Sequence, residues 1–244
     1  MIGVTCDVSR TTDAAGRERV RLDAGLAYSA AIFAAGGQAV MLPPIIELID
    51  DQLSLCDGFV LTGGDDPRTE EFGAPTHPEA KPMDPLRQRY ETALLRALLS
   101  PRADSTPAIG VCLGMQMMAL AAGGRLDQHM PESLGVAIAG LHRHNAAHTL
   151  ESSPGAPAWL ATAARAGATV VSHHRQAVID AGQRRVIARS SGAAGAVIEA
   201  IDAPSRPALM LGVQWHPERT EDRALGIGVF EQLVRAAAGS RLRA

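Results

Sequence analysis

Short, uncharged apolar runs recur along this chain at 2–5, 39–42, 58–61, 108–111 and 208–213. Each has the length of a strand buried on both faces. Between them the apolar spacing lengthens to a helical period. Residues 21–36 are alanine-rich and amphipathic and close on Gly36-Gly37, 46–55 follow Pro43-Pro44, and 86–99 place Leu86, Tyr90, Leu94, Leu95 and Leu98 on one face. A helix over 113–122 stops at Gly123-Gly124, and another over 222–238 follows the last apolar run. The order βαβαβ predicts an α/β fold: one doubly wound, mostly parallel sheet flanked by helices. From Arg125 onward short strands dominate, at 142–150, 169–171, 177–179, 184–188 and 196–201, and the turn-rich Ser152-Ser153-Pro154-Gly155-Ala156-Pro157 separates two of them. The polar, proline-rich stretch 67–85 reads as a loop over a site. No internal repeat or low-complexity tract is present.

Composition narrows the picture. The 244 residues are 46% hydrophobic, enough for a sizeable core, and residues 1–244 read as a single domain. A formal charge of −3 without a dense basic stripe offers nothing to a phosphate backbone, so nucleic acid is not expected as a partner. Cys6, Cys56 and Cys112 form no paired framework and no zinc-type spacing, which suits a reducing compartment. The N-terminus lacks a basic segment followed by an apolar stretch, and no run is long enough to span a bilayer. The expectation is a cytoplasmic protein with no membrane partner. Lys81 is the single lysine and no Gly-Lys-Ser/Thr loop exists, which argues against P-loop nucleotide chemistry.

Candidate chemistry centres on the end of the run 108–111. Gly110-x-Cys112-x-Gly114 has the logic of a nucleophile elbow, in which small neighbours permit a sharp strand-to-helix turn that presents the reactive side chain. The free N–H groups at the start of the following helix favour a thiolate. A small buried structural cysteine is the competing reading, and spacing alone leaves the two about even. The balance tips at Gln214-Trp215-His216-Pro217-Glu218, where an extended backbone would put His216 and Glu218 on one face, the acid fixing the imidazole tautomer that accepts the thiol proton. Gly63-Gly64, at a strand's C-terminal end, can offer N–H groups to an oxyanion, or be an ordinary turn.

Cys-Leu-Gly-x-Gln at 112–116 and Gln-Trp-His-Pro-Glu at 214–218 together resemble the class I glutamine amidotransferase-like hydrolases, in particular the γ-glutamyl-γ-aminobutyrate hydrolase branch. The resemblance runs nearly end to end. It includes Gly63-Gly64-Asp65-Asp66, Phe72-Gly73, the helix pattern Asp84, Arg87, Glu91 and Leu94, and the turn Ser172-x-His174-x-Gln176. It implies a flavodoxin-like core, a triad of Cys112, His216 and Glu218, an oxyanion hole at Gly64 and Leu113, and substrate contacts at Gly63, Gln116, Ser172 and His174. Gln116 either binds the glutamyl head group or caps helix backbone; His174 either touches substrate or supports a residue that does. The chain departs from the family at Pro67 and Thr69, and at Val171 and Arg175, where asparagine and a second histidine are usual.

The implied function is cysteine-dependent cleavage of a small γ-glutamyl amine or peptide at its γ-amide, with loop 67–85 gripping the amine. Alternatives are a glutaminase subunit feeding ammonia to a separate synthetase and a non-catalytic binding or regulatory protein on the same fold. A homo-oligomer stays open. No cofactor is expected. His142, His144 and His148 invite a metal reading, but no carboxylate or cysteine in sequence completes a set, so they are read as surface or packed histidines with no metal.

Overall fold

The computed structural model of the protein describes residues 1–195 and 197–241. In chain order the elements are β1 (Ile2–Thr5), β2 (Asp7–Thr12), β3 (Glu18–Asp23), α1 (Leu26–Ala34), β4 (Ala39–Leu42), α2 (Ile49–Leu55), β5 (Gly58–Leu61), α3 (Pro85–Leu98), β6 (Ala108–Val111) and α4 (Leu113–Leu120). There follow β7 (Arg125–Asp127), α5 (Met130–Ser133), α6 (Val136–Gly140), β8 (Ala146–Ser152), α7 (Ala158–Arg165), β9 (Thr169–Ser172), β10 (Ala177–Asp180), β11 (Arg185–Ser190), β12 (Ile198–Asp202), β13 (Met210–Val213) and α8 (Ile227–Arg241).

One sheet of nine strands, ordered β4-β1-β5-β6-β13-β12-β11-β8-β9, organises them. The first five are parallel, and these are the five apolar runs. The other four continue the sheet antiparallel. Period-two alternation divides the core into two layers. Phe59, Leu61 and Met210 face one layer with α3 and α4; Val60, Ile109, Val111, Leu211 and Val213 face the other with α1 and α8. Gly110 and Gly212 are register partners on the α4 side. A Cβ on Gly110 would sit 2.6 Å from the Gly114 backbone, and one on Gly212 would sit 2.9 Å from Met115 Cγ. The two glycines are therefore the trough into which α4 sinks, and every residue of α4 is buried.

Several elements differ from the sequence reading. The helix expected at 21–36 begins at Leu26, and Glu18–Asp23 instead pairs with Asp7–Thr12 as a hairpin outside the main sheet. All six residues of β3 are exposed, so no core demand marks it. The strand expected at 142–150 begins at Ala146, because His144 and Asn145 adopt left-handed conformations (φ 56° and 59°) that turn the chain first. The region after Arg125 also holds the helices α5, α6 and α7. The strand read at 196–201 is seen from Ile198, and its position 196 lies outside the described residues. Among the described residues no helix is long and apolar enough to cross a membrane.

Candidate active site

The carboxyl ends of three neighbouring strands, β5, β6 and β13, carry the predicted triad and oxyanion residues, where open α/β sheets bind ligands. Cys112 leaves β6 at φ 52°, ψ −103°, a conformation that an L residue adopts only under constraint, at a cost of about 1–3 kcal/mol. The constraint is visible on both sides. The Cys112 N–H donates to Val213 O at 2.8 Å while its carbonyl accepts from Gln116 N at 3.1 Å, so the corner is held between strand and first helical turn. Gly114 must approach β5, since a Cβ there would stand 2.3 Å from Leu61 O.

His216 follows β13. Its Nδ1 lies 2.7 Å from Glu218 Oε1, and the other side of the ring is within hydrogen-bonding reach of Cys112. The acid and the imidazole do not meet across an extended segment as expected. Pro217–Arg219 forms a single 3-10 turn that folds Glu218 back onto the ring. The turn is pinned by His216 N to Val171 O (2.8 Å) and by Thr220 Oγ1 to His216 O (2.9 Å). Burial disfavours the charged ring, but the hydrogen bonds and negative charges of Cys112 and Glu218 outweigh it and hold His216 up at about 9. Cys6 and Cys56 are buried and free, and burial pushes the Cys56 thiol up to about 11, as suits inert packing residues.

The turn after β5 is fixed by helix α3. Arg87, fully buried, donates from Nη2 to Thr62 O (3.0 Å), Thr62 Oγ1 (3.0 Å) and Gly63 O (3.1 Å), and from Nε to Glu91 Oε1 (2.8 Å). Thr5 Oγ1 donates to the same Glu91 oxygen at 2.8 Å. The Gly63 N–H donates to Tyr28 Oη at 3.0 Å. Those of Gly64 and Leu113 make no hydrogen bond among the described residues. The two glycines are packed close: a Cβ on Gly64 would lie 2.3 Å from Arg87 Nη1 and 3.1 Å from Leu113 Cδ2, and one on Gly63 would lie 3.2 Å from His216 Cε1. Tyr28 carried no signal in the sequence, and Arg87 and Glu91 were visible only as a helix pattern.

Two clefts meet at Gly64, Asp65, Cys112 and His173, which line both. The first, about 180 Å³, is lined by Gln116, Gln176, His174, Arg143, Arg175 and Lys81 with Asp65 and Asp66. The second is lined by Asp7, Asp23, Tyr28, His173, His216 and Arg219. Gln116 donates to Gln176 O (3.1 Å) and Gln214 Oε1 (3.3 Å), so its amide is engaged with the cleft wall and not with helix backbone. Gln214, in turn, points Nε2 at Cys112 Sγ (3.5 Å), a contact that sequence spacing did not suggest. His174 lines the first cleft through a largely buried ring. Ser172 is fully buried at the end of β9 and lines neither cleft. Asp66 anchors the loop: it accepts from Lys81 N at 2.8 Å and from the Arg175 guanidinium, Nε at 3.0 Å.

The chain is similar to known proteins in sequence and in fold. The Peptidase C26 family model matches residues 1–218. Rv2859c of Mycobacterium tuberculosis, by its description a candidate glutamine amidotransferase, is 34% identical over 221 residues, covering 87% of this chain and 67% of that protein. The glutamine amidotransferase-like protein YvdE of Lactococcus lactis is 31% identical over 191 residues, covering 75% of this chain and 76% of the other. Among solved structures, a candidate GMP synthase component from Thermoplasma acidophilum superposes with TM-score 0.60 at 16% identity, covering 100% of this chain and 97% of that one. The glutaminase domain of Trypanosoma brucei CTP synthase gives TM-score 0.58, also at 16% identity, over 98% and 93%. At that identity the likeness concerns the fold, the α/β arrangement of class I glutamine amidotransferases. With the family model spanning residues 1–218, this chain belongs to the Peptidase C26 family of glutamine amidotransferase-like proteins.

Proposed function

We propose that the chain is a cysteine-dependent hydrolase that cleaves the γ-amide of a small γ-glutamyl amine or peptide. The observation that carries this reading is the alignment of Cys112, His216 and Glu218 beside the free N–H groups of Gly64 and Leu113. His216 takes the Cys112 proton, and Sγ attacks the γ-carbonyl carbon while its oxygen turns toward Gly64 N and Leu113 N. Collapse breaks the C–N bond as His216 returns the proton to the leaving amine. Water, deprotonated by His216, then attacks the thioester carbonyl; glutamate leaves and the thiol is restored.

The clefts suggest an orientation. His216 lines the second cleft and not the first, so the amine departs on the side of Tyr28, Asp7 and Asp23. The glutamyl head group then occupies the first, where Lys81 and Arg143 suit its α-carboxylate and Asp65 its α-ammonium, Arg175 and Asp66 being paired with each other. Loop 67–85 therefore meets the head group through Lys81, not the amine as the sequence reading has it. A second reading, a glutaminase subunit for a separate synthetase, is favoured by the descriptions of the relatives. The two readings separate in one assay: kcat/KM of the purified chain, without a second protein, for several γ-glutamyl amines and for glutamine. A ratio above one across the panel is expected; preference for glutamine, rising on addition of a synthetase, overturns the proposal.

A further inference from the structure

Behind the first cleft lies a second cluster that the hydrolase chemistry does not use. His142, His148 and His174 converge on Glu199 of β12, all four buried. The three nearest nitrogens stand at 3.3 Å (His142 Nδ1), 3.1 Å (His148 Nε2) and 3.8 Å (His174 Nε2) from Glu199 Oε1. None of these atoms satisfies hydrogen-bond geometry, nor does Glu199 Oε2. Four adjacent buried residues with unpaired polar atoms require an explanation.

The tautomers sharpen it. His142 Nε2 lies 2.8 Å from Ala194 O, and His174 Nδ1 lies 2.9 Å from Gln176 O. A carbonyl only accepts, so both nitrogens carry hydrogen, and on a neutral ring the opposite nitrogen, aimed at Glu199, is a lone pair. Lone pairs facing a carboxylate need a cation between them. An outward N–H on a backbone carbonyl with an inward bare nitrogen is also how metal-binding histidines are oriented. The spacing fits: in a tetrahedral site with bonds of about 2.0–2.1 Å, ligand atoms stand roughly 3.3 Å apart. The ligand atoms of His142, His148 and Glu199 all lie within 4.8 Å of one another, and His174 Nε2, outside that group, stands 3.8 Å from Glu199 Oε1.

We propose that His142 Nδ1, His148 Nε2 and a Glu199 oxygen bind a divalent d10 cation, zinc, in a tetrahedral site distinct from the triad, with His174 Nε2 drawn in as the fourth ligand. Three imidazoles and one carboxylate match zinc's preference for nitrogen and oxygen donors. The sequence reading missed the site because the carboxylate comes from a strand fifty residues downstream of the histidine run (positions 142–148 and 199). His144, which looked like a companion of His142, turns away to contact the His173 ring. Because His174 also lines the first cleft, the metal would fix one wall of the substrate site without touching the reacting atoms.

The test uses the full chain without an affinity tag, carrying Cys112→Ala so that no reactive thiolate competes. Elemental analysis after purification without chelator is expected to find about one zinc per chain, lost on dialysis against a strong chelator with a fall in Tm. Cobalt added to the stripped protein should give the visible absorption of tetrahedral cobalt without a thiolate charge-transfer band, and Glu199→Gln should abolish it. If the wild-type cluster instead holds a proton, the stripped protein will bind neither zinc nor cobalt at stoichiometric concentration, and its Tm will not respond to either. ¹⁵N spectra of the stripped protein with zinc added will then show a doubly protonated His142 ring, and the proposal fails.

Discussion

At the scale of single residues, the site depends on Cys112 being where it is and on the ring beside it keeping its proton. Cys112→Ala should abolish turnover while leaving the far-UV spectrum at wild type, with Tm lowered because the buried side chain packs in the α1/α8 layer and raises His216. An electrophilic glutamine analogue should label Cys112 in the wild-type chain; modification of Cys6 or Cys56 instead would displace the nucleophile. His216, held at about 9 against about 6.5 in an unfolded chain, stabilises the fold as imidazolium. That contribution is full below about pH 6.5 and is lost as pH rises through about 9. Activity should follow, because the leaving amine needs that proton: kcat/KM is expected to fall on an alkaline limb near pH 9. Glu218→Gln removes one of the raising influences, so the limb should move to lower pH and kcat should drop. The drop should be smaller than the roughly 10⁴-fold loss at the corresponding aspartate of serine proteases, because a thiol ionises more readily. An unmoved limb with unchanged kcat would exclude Glu218. His216 and Glu218 were legible as a pair because the local sequence brings them together by either route, strand or turn. Tyr28, Gln214 and Glu199 were not, since Tyr28 arrives on α1 and the other two through sheet pairing, long-range placements that no local pattern encodes.

Helix α3 illustrates how an element far from the nucleophile in sequence shapes the site. Its Asp84 cap accepts from Leu86 N at 2.8 Å, and its buried face presents Arg87 to the turn after β5 and Glu91 to Thr5. Arg87→Met strands a buried carboxylate, which should cost about 3–5 kcal/mol in urea denaturation and reduce kcat as the Gly63-Gly64 turn loosens. Replacing Glu91 by Leu in the same chain should recover much of the stability, because two apolar groups pack without an orphan charge. Activity should stay low, because Thr62 and Gly63 remain untied. Recovery of both together would mean that Arg87 serves the fold alone. Helix α4 was read from sequence nearly to its ends because its limits are set locally, by the Cys112 corner and by Gly123-Gly124. The hairpin β2–β3 was not, even though Arg19, Val20, Arg21 and Leu22 alternate, because an exposed ribbon is not pressed into register by a core. Its alternation lost to the alanine-rich stretch that follows.

For the molecule as a whole, the parallel half of the sheet was legible because each of its strands is a short uncharged apolar run, and all but the edge strand β4 are buried on both faces. The antiparallel half was blurred by helices too short to show a period. The division matters for function, since the two clefts draw on different parts of the chain. The first takes Arg143, His174, Arg175 and Gln176 from the turns around β8 to β10 together with Lys81 of the loop before α3. The second takes Asp7 and Asp23 from the hairpin ends and Tyr28 from α1. If the glutamyl head sits in the first and the amine in the second, substitutions in the two should separate. Gln116→Ala removes a head-group contact common to every substrate, so kcat/KM should fall by a similar factor for glutamine and for substituted γ-glutamyl amides. Asp23→Ala leaves the head-group cleft intact and alters a wall that ammonia is too small to feel. Glutamine hydrolysis should then be unchanged, while the ranking among γ-glutamyl amines shifts away from cationic substituents, which gain most from a nearby carboxylate. Measured on the same panel of substrates, an equal effect of Asp23→Ala on glutamine and on cationic amides would place the amine elsewhere, and an effect of Gln116→Ala confined to substituted amides would reverse the orientation.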